Sequence, residues 1–184
     1  MAELTPLLAF RWSPRAFDPD AELTGDEAAS LLEAARWAPS AGNAQPWRFA
    51  LGHRQDETWK RILVTLPEPD QGWARHASAL VVGAHTGAPS TAADYGSAER
   101  AAYDLGQAVA HLTVQATALG LHVRQLTRFD RGRLGTELDL PAGVRPLVVA
   151  AVGRLGDPAA LPADLHTRET ALRHRHPLAA LLIP

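Results

Sequence analysis

The chain contains no cysteine. That removes disulfides, thiolate metal sites, iron–sulfur clusters and cysteine nucleophiles together. It has a single asparagine, Asn43, and seventeen of its eighteen cationic residues are arginines. No apolar run approaches the length needed to span a bilayer, and Met1-Ala2-Glu3-Leu4 lacks the basic start and apolar stretch of a signal peptide. No membrane partner and a cytoplasmic location are therefore expected. A formal charge of −2 supplies no general excess of positive charge for nucleic acid. There is no nucleophile elbow, Walker loop, zinc-protease helix or separate dinucleotide-binding fingerprint. His166, His174 and His176 gather near the end without metal-ligand spacing or carboxylate neighbours, so they read as surface residues and no metal is expected.

What is present suits one α+β domain spanning residues 1–184. Residues 4–10 read as a short apolar helix. Thr24-Gly25-Asp26-Glu27 is a capping-box pattern, and Ala28, Leu31, Leu32, Ala35 and Ala38 then recur at helical spacing until Pro39. Trp47 to Leu51 reads as a strand, Asp56 to Leu66 as a helix, and Pro67 to Gly72 as a turn. Ala79 to Ala84 is a continuous apolar run, expected to be a strand covered on both faces. His85 to Gly96 is expected to be a loop, and Ser97 to Leu119 the longest helix, capped by Gly120. Strands are expected at His122–Leu126 and Pro146–Val152, with short helices at Asp130 and near Arg168.

Two segments carry chemistry. In Arg36-Trp37-Ala38-Pro39-Ser40-Ala41-Gly42-Asn43-Ala44-Gln45-Pro46-Trp47, prolines and a glycine shape a turn between helix and strand. Ser40, Asn43 and Gln45 offer hydrogen-bonding groups that suit a planar heteroaromatic ligand; the competing reading is an ordinary loop after a helix. Gln45 could equally tie down the turn, and Trp37 and Trp47 are expected in the core. In Arg11-Trp12-Ser13-Pro14-Arg15-Ala16-Phe17, Arg11, Ser13 and Arg15 alternate, so an extended chain would present all three on one side. Arg173 and Arg175 repeat that alternation near the C-terminus.

These segments resemble the nitroreductase family. The N-terminal stretch is similar to its phosphate motif, and Pro39, Ser40 and Asn43 to its flavin loop. Three further stretches agree: Arg173-His174-Arg175-His176-Pro177-Leu178, Tyr103-Asp104-Leu105-Gly106-Gln107-Ala108 running to Leu119-Gly120-Leu121, and Val144-Arg145-Pro146-Leu147 to Val152-Gly153. The resemblance implies FMN as cofactor, a mixed central sheet flanked by helices, and a domain-exchanged homodimer. It implies hydride from NADH or NADPH, a nitroaromatic or quinone-like acceptor, and ping-pong kinetics, the flavin rather than any side chain being the catalyst. Arg11, Trp12, Ser13, Arg15, Arg173 and Arg175 would surround the phosphate, with Arg175 the better placed of its pair. Pro39, Ser40, Asn43 and Gln45 would reach the ring, in part from the neighbouring subunit. Two departures stand out. Thr127 and Arg128 replace the glycines the family often has before Phe-Asp, and Gln71 is the candidate where the family often has a flavin-facing asparagine. They motivate an alternative, an FMN-binding or flavin-storage protein without efficient turnover.

Overall fold

The computed structural model describes residues 3–87 and 97–183. Its elements are α1 (Pro6–Ala9), α2 (Gly25–Arg36), β1 (Trp47–His53), α3 (Glu57–Leu63), α4 (Glu68–Ala74), β2 (Ala79–Thr86), α5 (Ala98–Ala118), β3 (His122–Leu126), α6 (Arg131–Glu137), β4 (Val144–Gly153) and α7 (Ala163–Thr170), with 3-10 turns at Ala41–Asn43, Pro158–Ala160 and Leu178–Leu181.

Local chemistry sets most helix starts. Thr24 and Glu27 form the reciprocal capping box. Asp56, Ser97 and Asp130 each accept a backbone N–H three residues ahead, of Trp59, Arg100 and Arg133. The segment after Pro67 is not the expected turn. Proline is tolerated in the first turn of a helix, and Glu68-Pro69 opens α4, which buries Trp73 and Ala74.

The four strands lie in the order β1-β2-β4-β3. The α+β class stands. Among the described residues every pairing is antiparallel, so the mixed pairing expected of the sheet is not found within one chain. The reason lies in the connections: those from β1 to β2 and from β3 to β4 return to the sheet end they left. Side chains alternate across the sheet as its pleat demands. Val81, Val148, Ala150 and Val152 enter a core with α2 and α5. Leu80, Val82, Val149 and Ala151 enter a second core with α3, α4 and α6. Fully buried leucines such as Leu105 and Leu112 each contribute roughly 2 kcal/mol of transfer free energy.

β2 extends through His85 and Thr86, residues expected in a loop; positions 88–96 of that loop lie outside the described residues. Trp47 is buried as expected, but Trp37 is 71% exposed. It caps the end of α2, where its indole N–H donates to Glu33 Oε1 at 2.8 Å and the Arg36 guanidinium lies 5.7 Å from its ring centre.

Candidate active site: a basic cleft at the meeting of the chain ends

The segment Arg11–Phe17 is held against the sheet by the chain's C-terminal third. Phe17 bridges Leu155, the Gly156 N–H donates to the Ala16 carbonyl at 2.9 Å, and the Asp18 N–H donates to the Arg154 carbonyl at 3.0 Å. The approach is so close that a Cβ on Gly156 would sit 2.5 Å from the Phe17 carbonyl oxygen. The next anchor is Glu169 on α7. Its carboxylate is 1% exposed; Oε1 accepts the Arg15 and Ala16 N–H groups at 2.6 and 3.0 Å, and Oε2 lies 3.9 Å from Arg15 Nη1.

The tail closes the ring of cations. Arg173 donates to the Arg11 and Ala9 carbonyls at 2.7 and 2.9 Å. Partial burial, then the neighbouring charges of Arg175 and Arg173, lower the Arg11 pKa from its ordinary value. Arg11 Nη1 donates to Ser13 Oγ at 3.2 Å. Arg11, Arg173 and Arg175 therefore gather although more than 160 residues separate the first two. Among the described residues none of the three forms an ion pair with a carboxylate. Arg173, which the sequence left open to face water, is tied to the N-terminal segment, whereas the Arg175 guanidinium donates to the adjacent His174 carbonyl. Trp12 packs edge-on against His122, with ring centres 6.2 Å apart.

Ser13 links the cluster to a cleft of about 420 Å³ lined in part by Arg15, Asp70, Arg124, Thr127, Arg128 and Arg168. Thr127 and Arg128 follow β3, are exposed, and neither has a positive φ. Their backbone thus avoids the conformation for which glycine would be required. Gln71 does not line the cleft. Its amide donates to the Leu66 carbonyl at 2.8 Å, because α4 turns adjacent residues to different faces; Asp70 lines the cleft instead.

The Pro39–Pro46 loop lies elsewhere. It enters β1, the edge strand opposite β3, so three strand spacings, roughly 14 Å, separate the two edges. Its own bonds hold it: Ser40 Oγ accepts the Gln45 N–H at 3.0 Å, and the Gln45 amide donates to the Asn43 carbonyl at 3.2 Å. Gly42, Asn43 and Gln45 have φ of 58°, 57° and 48°. Asp104, 3% exposed on α5, accepts the Ala41 N–H at 3.2 Å. Pro39 and Ser40 line a hollow with Tyr103 and Asp104 that shares no residue with the basic cleft.

Asp70, Arg124 and Glu169 carry no sequence signal of their own, and the role of Asp104 is not legible from its motif: the partners of Asp104 and Glu169 are 63 and 154 residues away.

The fold is thus an α+β sandwich with arginines clustered where its chain ends meet. The model of the nitroreductase family matches residues 8–71. The crystal structure of an FMN-containing oxidoreductase superposes with a TM-score of 0.91 at 35% identity, covering 99% of this chain and 91% of that one. An uncharacterised 15.4 kDa protein of Mycolicibacterium smegmatis is 34% identical over 140 residues, 70% of this chain and 88% of its own. The oxygen-insensitive NAD(P)H nitroreductase of Salmonella typhimurium is 37% identical over 46 residues, 25% of this chain and 21% of its own. The chain belongs to the nitroreductase family.

Proposed function

We propose that the protein is an FMN-dependent oxidoreductase that takes hydride from NADH or NADPH and passes it to a nitroaromatic, quinone or similar acceptor. The observation that carries the reading is the set of Arg11, Arg173 and Arg175 beside the Ser13 hydroxyl, with no carboxylate paired to them among the described residues. Such a donor set fits a phosphate dianion. The adjoining cleft, about 420 Å³, falls within the range of small-molecule sites. The FMN-containing structure with 35% identity supports the same cofactor.

When bound, FMN supplies the hydride chemistry; the chain's own residues hold and orient it. Arg11, Ser13, Arg173 and Arg175 hold the phosphate, and Arg15, Thr127 and Arg128 face the cleft beside it. A shared cleft for NAD(P)H and acceptor implies that they use the space in turn, a ping-pong order. The protein works as a homodimer in this reading, with Pro39, Ser40, Asn43 and Gln45 reaching the neighbouring subunit's cofactor from the far edge of the sheet. Exposed apolar groups support a partner: Phe10 and Trp37 are 72% and 71% exposed, and Leu178 and Ile183 in the tail 72% and 95%.

Purified protein reconstituted with FMN is expected to show bleaching of the flavin absorption band on addition of NADH or NADPH under anaerobic conditions. No bleaching by either would overturn the enzymatic reading. Stoichiometric FMN binding without reduction by either nicotinamide would favour a flavin-storage role, to which the Thr127 and Arg128 side chains at the cleft point.

A further inference from the structure

Arg124 lies on β3 beside Leu126, on the side of the sheet that packs with α4 and α6. Its guanidinium is fixed from two directions. Nη1 donates to the Ser13 carbonyl at 2.6 Å, and the group lies 5.5 Å from the centre of the Trp73 ring. Trp73 is 2% exposed, and its indole N–H donates to Asp70 Oδ1 at 3.0 Å. A cation, an aromatic plane and a carboxylate thus form one connected unit spanning β3, α4 and the N-terminal segment. Its charged neighbours are Arg15, Glu169 and Asp70. Burial, then Arg15, lower the Arg124 pKa, while Glu169 and Asp70 oppose the change; a guanidinium remains charged at any working pH.

The placement separates Arg124 from the phosphate cluster. It lines the cleft with Arg15, Asp70, Thr127 and Arg128, on the ring side of Ser13 in the FMN reading. A charge held by packing acts without reorganising when charge develops beside it, and partial burial protects it from screening by salt.

We infer that Arg124 is a further cofactor-binding residue, a fixed cation that selects for negative charge on the ring and so holds reduced FMN more tightly than oxidised FMN. The inference rests on the FMN reading. The charge balance is simple: oxidised FMN, two electrons and one proton, together the hydride from NADH or NADPH, give a ring that has gained one negative charge. Asp70 and Glu169 oppose that charge; Glu169 is paired with Arg15 and the Arg15 and Ala16 N–H groups, which leaves Asp70 as the carboxylate facing the cleft beside Arg124.

The test is the two-electron midpoint potential of FMN bound to wild type, R124M and R124K, measured by anaerobic dye equilibration beside the dissociation constant for oxidised FMN. R124M is expected to lower the potential by about 30 mV or more, which is a tenfold loss of affinity for reduced relative to oxidised FMN at 29.6 mV per tenfold. R124K, which retains the charge, is expected to keep most of the wild-type value. R124Q carries the same expectation as R124M and replaces it if the methionine variant does not fold. An unchanged potential in folded R124M or R124Q, or an equal fall in R124K, would overturn the inference while leaving the FMN reading intact. Wild-type protein that takes up no FMN would overturn both.

Discussion

The arginine-bearing segment at Arg11–Phe17 and the neutral loop at Pro39–Pro46 are both held by a buried carboxylate from a distant helix, yet the two anchors are not equivalent. Glu169 accepts two backbone N–H groups and faces the Arg15 guanidinium. Asp104 accepts one, at 3.2 Å. The first loop has no hydrogen-bonded turn of its own and is fixed by α7 and the residues after β4. The second carries its own Ser40–Gln45 and Gln45–Asn43 bonds and needs less outside help. A segment without turn bonds of its own takes its backbone partners from elsewhere in the fold, whereas the Pro39–Pro46 turn supplies part of its own.

Removing the stronger anchor breaks the comparison most sharply. Glu169→Ala leaves two N–H groups and the Arg15 cation without their acid, so a loss of about 2–4 kcal/mol in unfolding free energy is expected from urea titration. Glu169→Gln keeps an oxygen acceptor and should recover part of it; equal losses in both variants would show that the hydrogen bonds to the loop do not matter.

The tail cations come next. Arg173→Ala and Arg175→Ala are each expected to weaken FMN binding by about 1.5–3 kcal/mol, the range for hydrogen bonds to charged groups. Riboflavin, which lacks the phosphate, should bind both variants as it binds wild type. Fluorescence titration with the two ligands checks this, and equal losses for both would refute the phosphate assignment.

The weaker anchor should matter less. Asp104→Ala removes the acceptor of a single N–H and is expected to cost about 1 kcal/mol in unfolding free energy. A loss as large as that of Glu169→Ala would erase the distinction between the loops.

The smallest effect is a pH dependence beside the arginine segment, at His122 against Trp12. Burial lowers the His122 pKa below its ordinary 6.5. The unfolded chain then binds more protons than the folded one between the two values. The contribution is complete above pH 6.5 and is lost as the pH falls through the lowered value. His122→Phe should flatten this part of the stability profile, read as Tm against pH. A profile of the same slope in the variant would assign the dependence to other groups.

How much of this was legible beforehand differs by element. The Thr24–Glu27 cap, the long helix before Gly120 and the apolar run at Ala79–Ala84 are local patterns, and they appear where expected. Pro67–Gly72 reads as a turn in the sequence but opens a helix, because a proline after a turn signal is also tolerated in a first helical turn; the helix then turns Asp70 rather than Gln71 to the cleft. Side-chain type alone points Trp37 to the core, but a residue just past a helix end faces whichever way the cap leaves it, and Trp37 is exposed.

By itself the sequence determined the capped starts of α2, α3, α5 and α6, the positions of the strands, the family and which arginines deserved attention. These depend on neighbours within a few residues or on a linear motif. Tertiary structure alone decided that Arg173 rather than Arg175 ties the tail to the N-terminal segment, that Glu169 and Asp104 anchor the two loops, and that Arg124 stands in the cleft against Trp73. Each of those rests on a contact between residues far apart in the chain, and such contacts exist only once folding has offset the entropy of bringing them together.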